Sequence, residues 1–279
     1  MSKPNFSHKA IIMAMASSIL PVFSPAQDAA EPAAKRAFKL VAIGDSITQG
    51  GWSNHPEGVG TYEYSYRYPL WKNFVDAEWD VEMVGTVTQG FVKHPDYQDY
   101  KGKKFDNRNE GYWGWPILNP GNEETSILRK IELNLKDREF DAAILEAGWN
   151  DLGQIKKEDY ADDDALHAAR VEEITRRVML AIELLRSINE NAAIYFSALP
   201  AKWEPQTSIN AAVKQKIGEL PEGKAPVVFV DLPGDWVNNP ELPDTCTYDW
   251  VHTNERGDKI LGDAYFNAMK PFVEAFYNK

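Results

Sequence analysis

The chain has 279 residues, 43% of them apolar, and a formal charge of −12 at pH 7; this length suits one large α/β domain or two small ones with a sizeable core. The acidic balance, with Lys101, Lys103 and Lys104 as the only tight basic cluster, argues against nucleic acid or an anionic lipid surface as a partner. A single cysteine, Cys246, excludes an intramolecular disulfide and a cysteine-built metal cage, and reads as a small buried residue.

Residues 1–26 read as an export signal. Lys3, His8 and Lys9 give a positive start, Ala10 to Phe23 is a short apolar run interrupted by Pro21, and Ser24-Pro25-Ala26 offers small residues for cleavage. The run is too short to span a bilayer, so no membrane span is expected and a secreted or periplasmic location is. Loss of this segment, with its two lysines and no acid, makes the protein more acidic still. Residues 27–36 read as a flexible leader, and 37–279 as one domain without repeats, low-complexity tracts or a later Pro/Gly-rich linker.

Strand and helix alternate from there on. Ala37–Ile43 is an apolar run without polar alternation, the pattern of a strand covered on both faces. A helix is predicted over Tyr68–Glu78, then a short strand over Asp80–Val84. Thr86–Pro120 is a long aromatic loop rich in Gly, Asp and Lys; loops of that length inside a compact domain are usually functional. A helix follows over Asn122–Lys136, with Ile127, Ile131 and Leu135 in register, and a third strand over Phe140–Ala147. Asp164–Asn189 is a long helix, Ala192–Leu199 a fourth strand, Thr207–Leu220 a helix and Ala225–Leu232 a fifth strand. Glu255–Tyr277 closes the chain as a helix with a kink expected near Pro271. Strands separated by helices imply parallel pairing with right-handed crossovers.

Four short motifs fall just after strands or in the long loop. Gly44-Asp45-Ser46 puts a serine past the end of the first strand, where ligands of open α/β sheets bind. A serine hydroxyl needs a base to become a nucleophile; a turn serine capping a helix is the alternative. In Asp249-Trp250-Val251-His252 the three-residue spacing lets Asp249 hold the imidazole of His252 in one tautomer, or merely pair with it for stability. Gly148-Trp149-Asn150-Asp151 offers the Asn150 amide as an oxyanion donor, or is an Asn/Asp turn. In Glu110-Gly111-Tyr112-Trp113-Gly114-Trp115 a glycine N–H can approach a substrate closely, or the segment is a packed aromatic turn. Together they supply a nucleophile, a base, its orienter and oxyanion donors at one edge of one sheet, the parts acyl transfer needs. The chain has no Gly-x-Ser-x-Gly elbow. His-Glu-x-x-His, a phosphate loop and a Gly-x-Gly-x-x-Gly after a strand are also lacking, and no metal or cofactor is expected.

With these four ordered blocks the chain resembles the GDSL/SGNH hydrolase superfamily, close to its carbohydrate-esterase-like branch, from Leu40 to the final helix. The resemblance implies a flavodoxin-like three-layer α/β/α sandwich around a parallel sheet of about five strands, also the count along the chain. It implies Ser46 as nucleophile, His252 as general base, Asp249 as its partner, and an oxyanion hole of the Ser46 and Gly114 N–H groups with the Asn150 side chain. Thr253-Asn254-Glu255-Arg256-Gly257 continues the last block as such relatives do. Glu146 departs from the pattern, where relatives often carry an apolar residue or histidine; a carboxylate there is expected to bind a substrate hydroxyl or to pair with Arg67.

The loops near the motifs are aromatic: Trp52, Tyr62, Tyr64, Tyr66, Tyr68, Trp113, Trp115, Trp149, Trp203 and Trp250. Tyr68 and Trp71 are expected in the core. Flat rings beside polar groups suit sugars, and no long apolar lid for a fatty chain is visible. The expected substrate is therefore a small-molecule or polysaccharide ester carrying a short acyl group such as acetyl, with Trp149, Trp113 and Glu146 as contacts. A lysophospholipase or thioesterase, and a carbohydrate-binding protein without catalysis, are the competing readings.

Overall fold

Alternate residues of the first strand point into two different cores, and that division sets the layers. The computed structural model describes residues 36–51, 64–90 and 97–278. The expected export signal, most of the leader, Trp52 and Tyr62 lie outside them. The chain divides into Met1–Lys35 and a compact unit, Arg36–Lys279. In order, the regular elements of that unit are β1 (Phe38–Gly44), α1 (Ser46–Gln49), α2 (Arg67–Asp76), β2 (Val81–Val84), β3 (Glu110–Gly111), α3 (Ile127–Leu135), β4 (Ala142–Glu146), α4 (Asp163–Ile188), β5 (Ala193–Ser197), α5 (Gln206–Gly218), β6 (Val227–Val230) and α6 (Glu255–Tyr277).

Among the described residues these strands pair in parallel, in the order β2-β1-β4-β5-β6, with the two-residue β3 pairing the end of β1. Val41 and Ile43 of β1, Ala143 and Leu145 of β4, and Ile194 and Phe196 of β5 pack with α3, α4 and α5. Phe38, Leu40 and Ala42, with Ala142, Ile144, Ala193 and Tyr195, pack on the opposite face with Leu70 and Phe74 of α2 and Leu261, Tyr265 and Met269 of α6. This is a three-layer α/β/α sandwich. Both faces of the sheet are covered, so its strands read as apolar runs. Each fully buried Leu, Ile or Phe is worth about 1.5–3 kcal/mol of transfer free energy, and this burial holds the layers together.

The sheet also shows where a site belongs. From β1 the chain moves outward to β2, then crosses back to place β4 on β1's other side. The carboxyl ends of β1 and β4 flank this reversal, the position at which ligands bind in open α/β sheets. Gly44-Asp45-Ser46 leaves one strand there and Gly148-Trp149-Asn150 the other.

The structure departs from the predicted elements in three places. The helix expected over 122–136 breaks into a single 3-10 turn over Glu123–Thr125 and α3, because Ser126 is extended (φ −103°, ψ 139°). The long loop contains β3, too short for a hydrophobic period to reveal. The four-residue α1 is equally short; it starts on Ser46 itself. Pro271 lies inside α6, which runs on as helix to Tyr277. Tyr68 and Trp71 are buried, as is Cys246.

Candidate active site

Gly44 ends β1 against the backbone of β4. A Cβ there would lie 2.1 Å from the Glu146 carbonyl oxygen and 2.3 Å from Thr48 Oγ1, so only glycine fits. Asp45 then caps α1, its Oδ1 accepting from Ile47 N at 3.1 Å. The sharp turn leaves Ser46 at the sheet edge, 8% exposed.

The last block reaches this serine from the other end of the chain. Asp249 Oδ1 accepts from the backbone N–H of Val251 (3.2 Å) and of His252 (2.7 Å), closing the Asp-x-x-His turn on itself. Tyr248 N donates to His252 O at 2.8 Å, and Asn254 caps α6 through Gly257 N at 3.0 Å. A Cβ on Gly257 would sit 2.0 Å from Cys246 O, so this glycine lets the turn lie against α6. Held this way, His252 Nδ1 lies 2.8 Å from Asp249 Oδ2, and its Nε2 lies 2.9 Å from Ser46 Oγ. An ionised carboxylate only accepts, so Nδ1 carries the proton and Nε2 faces the hydroxyl as an acceptor. Asp249 is partly desolvated, which alone would raise its pKa. The hydrogen bond and charge of His252 outweigh that and hold it below the ordinary carboxylate value.

The oxyanion candidates fall around the same serine. Asn150 Nδ2 donates to Asp45 Oδ2 (3.2 Å) and to Trp115 O (3.2 Å); the amide stands beside the serine block, turned to protein acceptors. Gly111 N is taken by Asn109 Oδ1 at 2.8 Å. Gly114 adopts φ +73° in open space, one residue past Trp113, so its glycine meets a conformational need rather than a steric one. The N–H groups of Ser46 and Gly114 donate to no acceptor among the described residues. The Trp113 ring stacks on the His252 imidazole at 4.8 Å and 6°.

Residues that no motif spacing pointed to hold these parts. Gln49 Oε1 accepts from Trp113 N at 2.8 Å, tying α1 to the loop. Arg67, fully buried, donates to Thr48 O (2.8 Å), Gln49 O (3.2 Å) and Asn107 O (3.2 Å). Asp151 accepts from Ile117 N (2.8 Å) and from Arg177 Nη1 (2.8 Å) of α4, both side chains being buried. Asp45 has a task too: it orients the Asn150 amide. Burial pushes its pKa up to about 7, against the hydrogen bond from Ile47.

Glu146 is not paired with Arg67. It is fully buried, and Arg67 is engaged by backbone carbonyls instead. Alternation along β4 turns it into the layer with Tyr66 and Tyr265. Burial, then the charge of Asp45, raises its pKa well above the ordinary carboxylate value.

Residues 40–265 match the family described as GDSL-like Lipase/Acylhydrolase. The chain belongs to this family. Its members' fold is found in solved structures of low sequence identity. A carbohydrate esterase family 3 protein from Talaromyces cellulolyticus superposes with a TM-score of 0.59 at 18% identity, covering 85% of this chain and 99% of that one. A family 3 carbohydrate esterase from Clostridium thermocellum gives 0.57 at 20% identity, over 86% and 98%. The S10A mutant of an acetyl esterase with acetate ion gives 0.58 at 17%, over 85% and 99%. No curated protein matches the sequence significantly. As a GDSL-like acylhydrolase, the chain carries its family's fold with the serine block at the sheet's reversal point.

Proposed function

We propose that the protein is a serine esterase that removes short acyl groups, acetyl foremost, from a carbohydrate. The observation that carries this is the unbroken row from Asp249 through His252 to Ser46, at 2.8 and 2.9 Å. Ser46 Oγ attacks the ester carbonyl carbon while His252 Nε2 takes its proton. Asp249 holds the Nδ1–H tautomer and stabilises the imidazolium. The carbonyl oxygen becomes an oxyanion received by the Ser46 and Gly114 N–H groups and the Asn150 amide, which must release one of its two present acceptors to donate. One such donor is worth about 2.7–4 kcal/mol of transition-state stabilisation. The imidazolium then protonates the departing alkoxide, leaving an acyl-serine, and a water deprotonated by His252 hydrolyses it.

The aromatic side chains near Ser46 and His252 favour a sugar alcohol half. The carbohydrate and acetyl esterases of similar fold make acetylated glycans the first substrates to test. Export to the periplasm or medium, read from residues 1–26, would place the protein where such glycans occur. Among the described residues no helix is long and apolar enough to cross a membrane.

The test is turnover of nitrophenyl esters of increasing chain length beside acetate release from acetylated glycans, with Ser46→Ala as control. Turnover is expected to fall with chain length and to drop in Ser46→Ala by on the order of 10⁴-fold or more, with the thermal melt retained. Preference for long chains without acetate release would instead favour the lysophospholipase reading. Unchanged turnover in Ser46→Ala would remove the serine from the mechanism.

A further inference from the structure

Three tryptophans outside the Asp–His–Ser row adjoin one another edge to face. Trp149 and Trp203 lie 6.4 Å apart at 65°, and Trp203 and Trp250 lie 5.9 Å apart at 68°. Trp149 is the residue before Asn150, and Trp250 the residue after Asp249. The row of rings therefore starts beside the oxyanion block and ends beside the base.

Trp250 is unusual twice over. It is 45% exposed, while Trp236 and Trp71 are buried, so its indole is not there to fill the core. Its φ is +72°, a conformation a bulky residue keeps only when its surroundings impose it, and such residues concentrate at functional sites. The surroundings are specific. Buried Asn238 donates through Nδ2 to Trp250 O (3.5 Å) and to Pro200 O. The Trp236 indole N–H donates to Asn238 Oδ1 (2.8 Å) and Pro200 O (3.1 Å), and Thr247 Oγ1 donates to Asn238 O (3.1 Å). One buried amide thus joins the backbone of Trp250 to the segment after β5 that carries Trp203. A solvent-facing indole thus stands on a left-handed backbone whose carbonyl is held by a buried network tied to the segment that carries Trp203.

We propose that Trp203 and Trp250 form the binding wall for pyranose rings of the glycan that bears the ester, with Trp250 as the outermost contact and Trp149, packed against both cores, joining them to the fold. The apolar C–H face of a pyranose matches one indole face, while its hydroxyls stay towards solvent or the site's polar groups. Rings set edge to face present separate ring-sized facets, not one broad apolar sheet of the kind a lipid surface or a protein partner would cover. Fixing them in advance lowers the ordering cost of binding. The proposal rests on the esterase reading, and names the part of the site that holds the alcohol half.

The experiment compares wild type, Trp250→Ala, Trp203→Ala and Trp250→Phe on acetylated xylo-oligosaccharides and on 4-nitrophenyl acetate. The readout is the ratio of kcat/KM for the oligosaccharide to that for the nitrophenyl ester. This ratio is expected to fall about tenfold in each alanine variant, mainly through KM, and to recover largely in Trp250→Phe. A ratio unchanged in both alanine variants overturns the wall. A parallel titration uses Ser46→Ala protein and deacetylated xylohexaose, followed by tryptophan fluorescence. Saturable binding that Trp250→Ala abolishes supports the wall even if the wild type hydrolyses neither ester, a result that would sink the esterase reading alone. Binding that persists in Trp250→Ala, or no binding by Ser46→Ala protein combined with no oligosaccharide turnover by wild type, overturns the wall.

Discussion

Asp249 accepts three hydrogen bonds in the structure, two of them from the backbone of its own turn and one from the ring of His252. The side chain therefore shapes the turn and selects the tautomer at once. Asp249→Asn keeps the size but cannot accept from Nδ1–H with the same strength, and its amide can donate to Nδ1 and reverse the tautomer. The expected result is a loss in kcat on the order of 10²–10⁴-fold with little change in KM, measured with nitrophenyl acetate. A loss below about threefold would show that His252 keeps its orientation without the carboxylate. At this scale the sequence was informative where a side chain acts through local spacing, as in Asp249 and His252. It was silent on Gln49 and Arg177, which act across 64 and 26 positions in the chain; no spacing marks a contact made only by folding. The burial of Glu146 was hidden from the sequence for a related reason. It ends β4, and the alternation along that strand turns it into the layer that holds Ala142, Ile144 and Tyr265.

Elements read well wherever an apolar period ran long enough. The uninterrupted apolar run of β1 and the Ile127, Ile131, Leu135 stripe of α3 follow from burial on two faces and on one. α1 and β3 were not legible, since a helix of four residues and a strand of two hold no full period. Both nevertheless position the site: α1 carries Ser46, and β3 sets Gly111 against Gly44. The join between β1 and α1 tolerates little alteration. Gly44→Ala would press a methyl group into the Glu146 carbonyl and Thr48, 2.1 and 2.3 Å away, both in buried surroundings. The expected cost is at least the ~1–3 kcal/mol of overpacking, read as a lower urea midpoint, together with a fall in kcat because the strain moves Ser46. A variant as stable and as active as wild type would mean that β1 and β4 can separate freely at that end.

For the whole folded unit, the buried carboxyls set a dependence of stability on pH. Glu146 and Asp258 are both fully buried, and desolvation raises both well above their ordinary values, which favours their neutral forms. A raised carboxyl pKa means the native state binds the proton more tightly than the unfolded chain. Its contribution to stability is complete below the unfolded value of about 4.3 for Glu and 3.9 for Asp, and is lost as pH rises through the folded value. Glu146→Gln keeps the shape and stays neutral, so its melting temperature relative to wild type is expected to rise progressively from pH 5 to pH 9. A constant difference across that range would mean that Glu146 is no source of the dependence. The class of fold, the four blocks and the acyl-transfer chemistry they suggest were determined by the sequence alone, because apolar periods and short-range spacing are local properties that survive without a third dimension. Which of those blocks meet was decided only by the tertiary structure. The reversal of strand order at β1 and β4 sets the Ser46 and Asn150 blocks side by side, the turn before α6 brings His252 to Ser46 across 206 positions, and the same packing buries Glu146 and leaves Trp250 facing solvent, since burial is a property of neighbours distant in the chain.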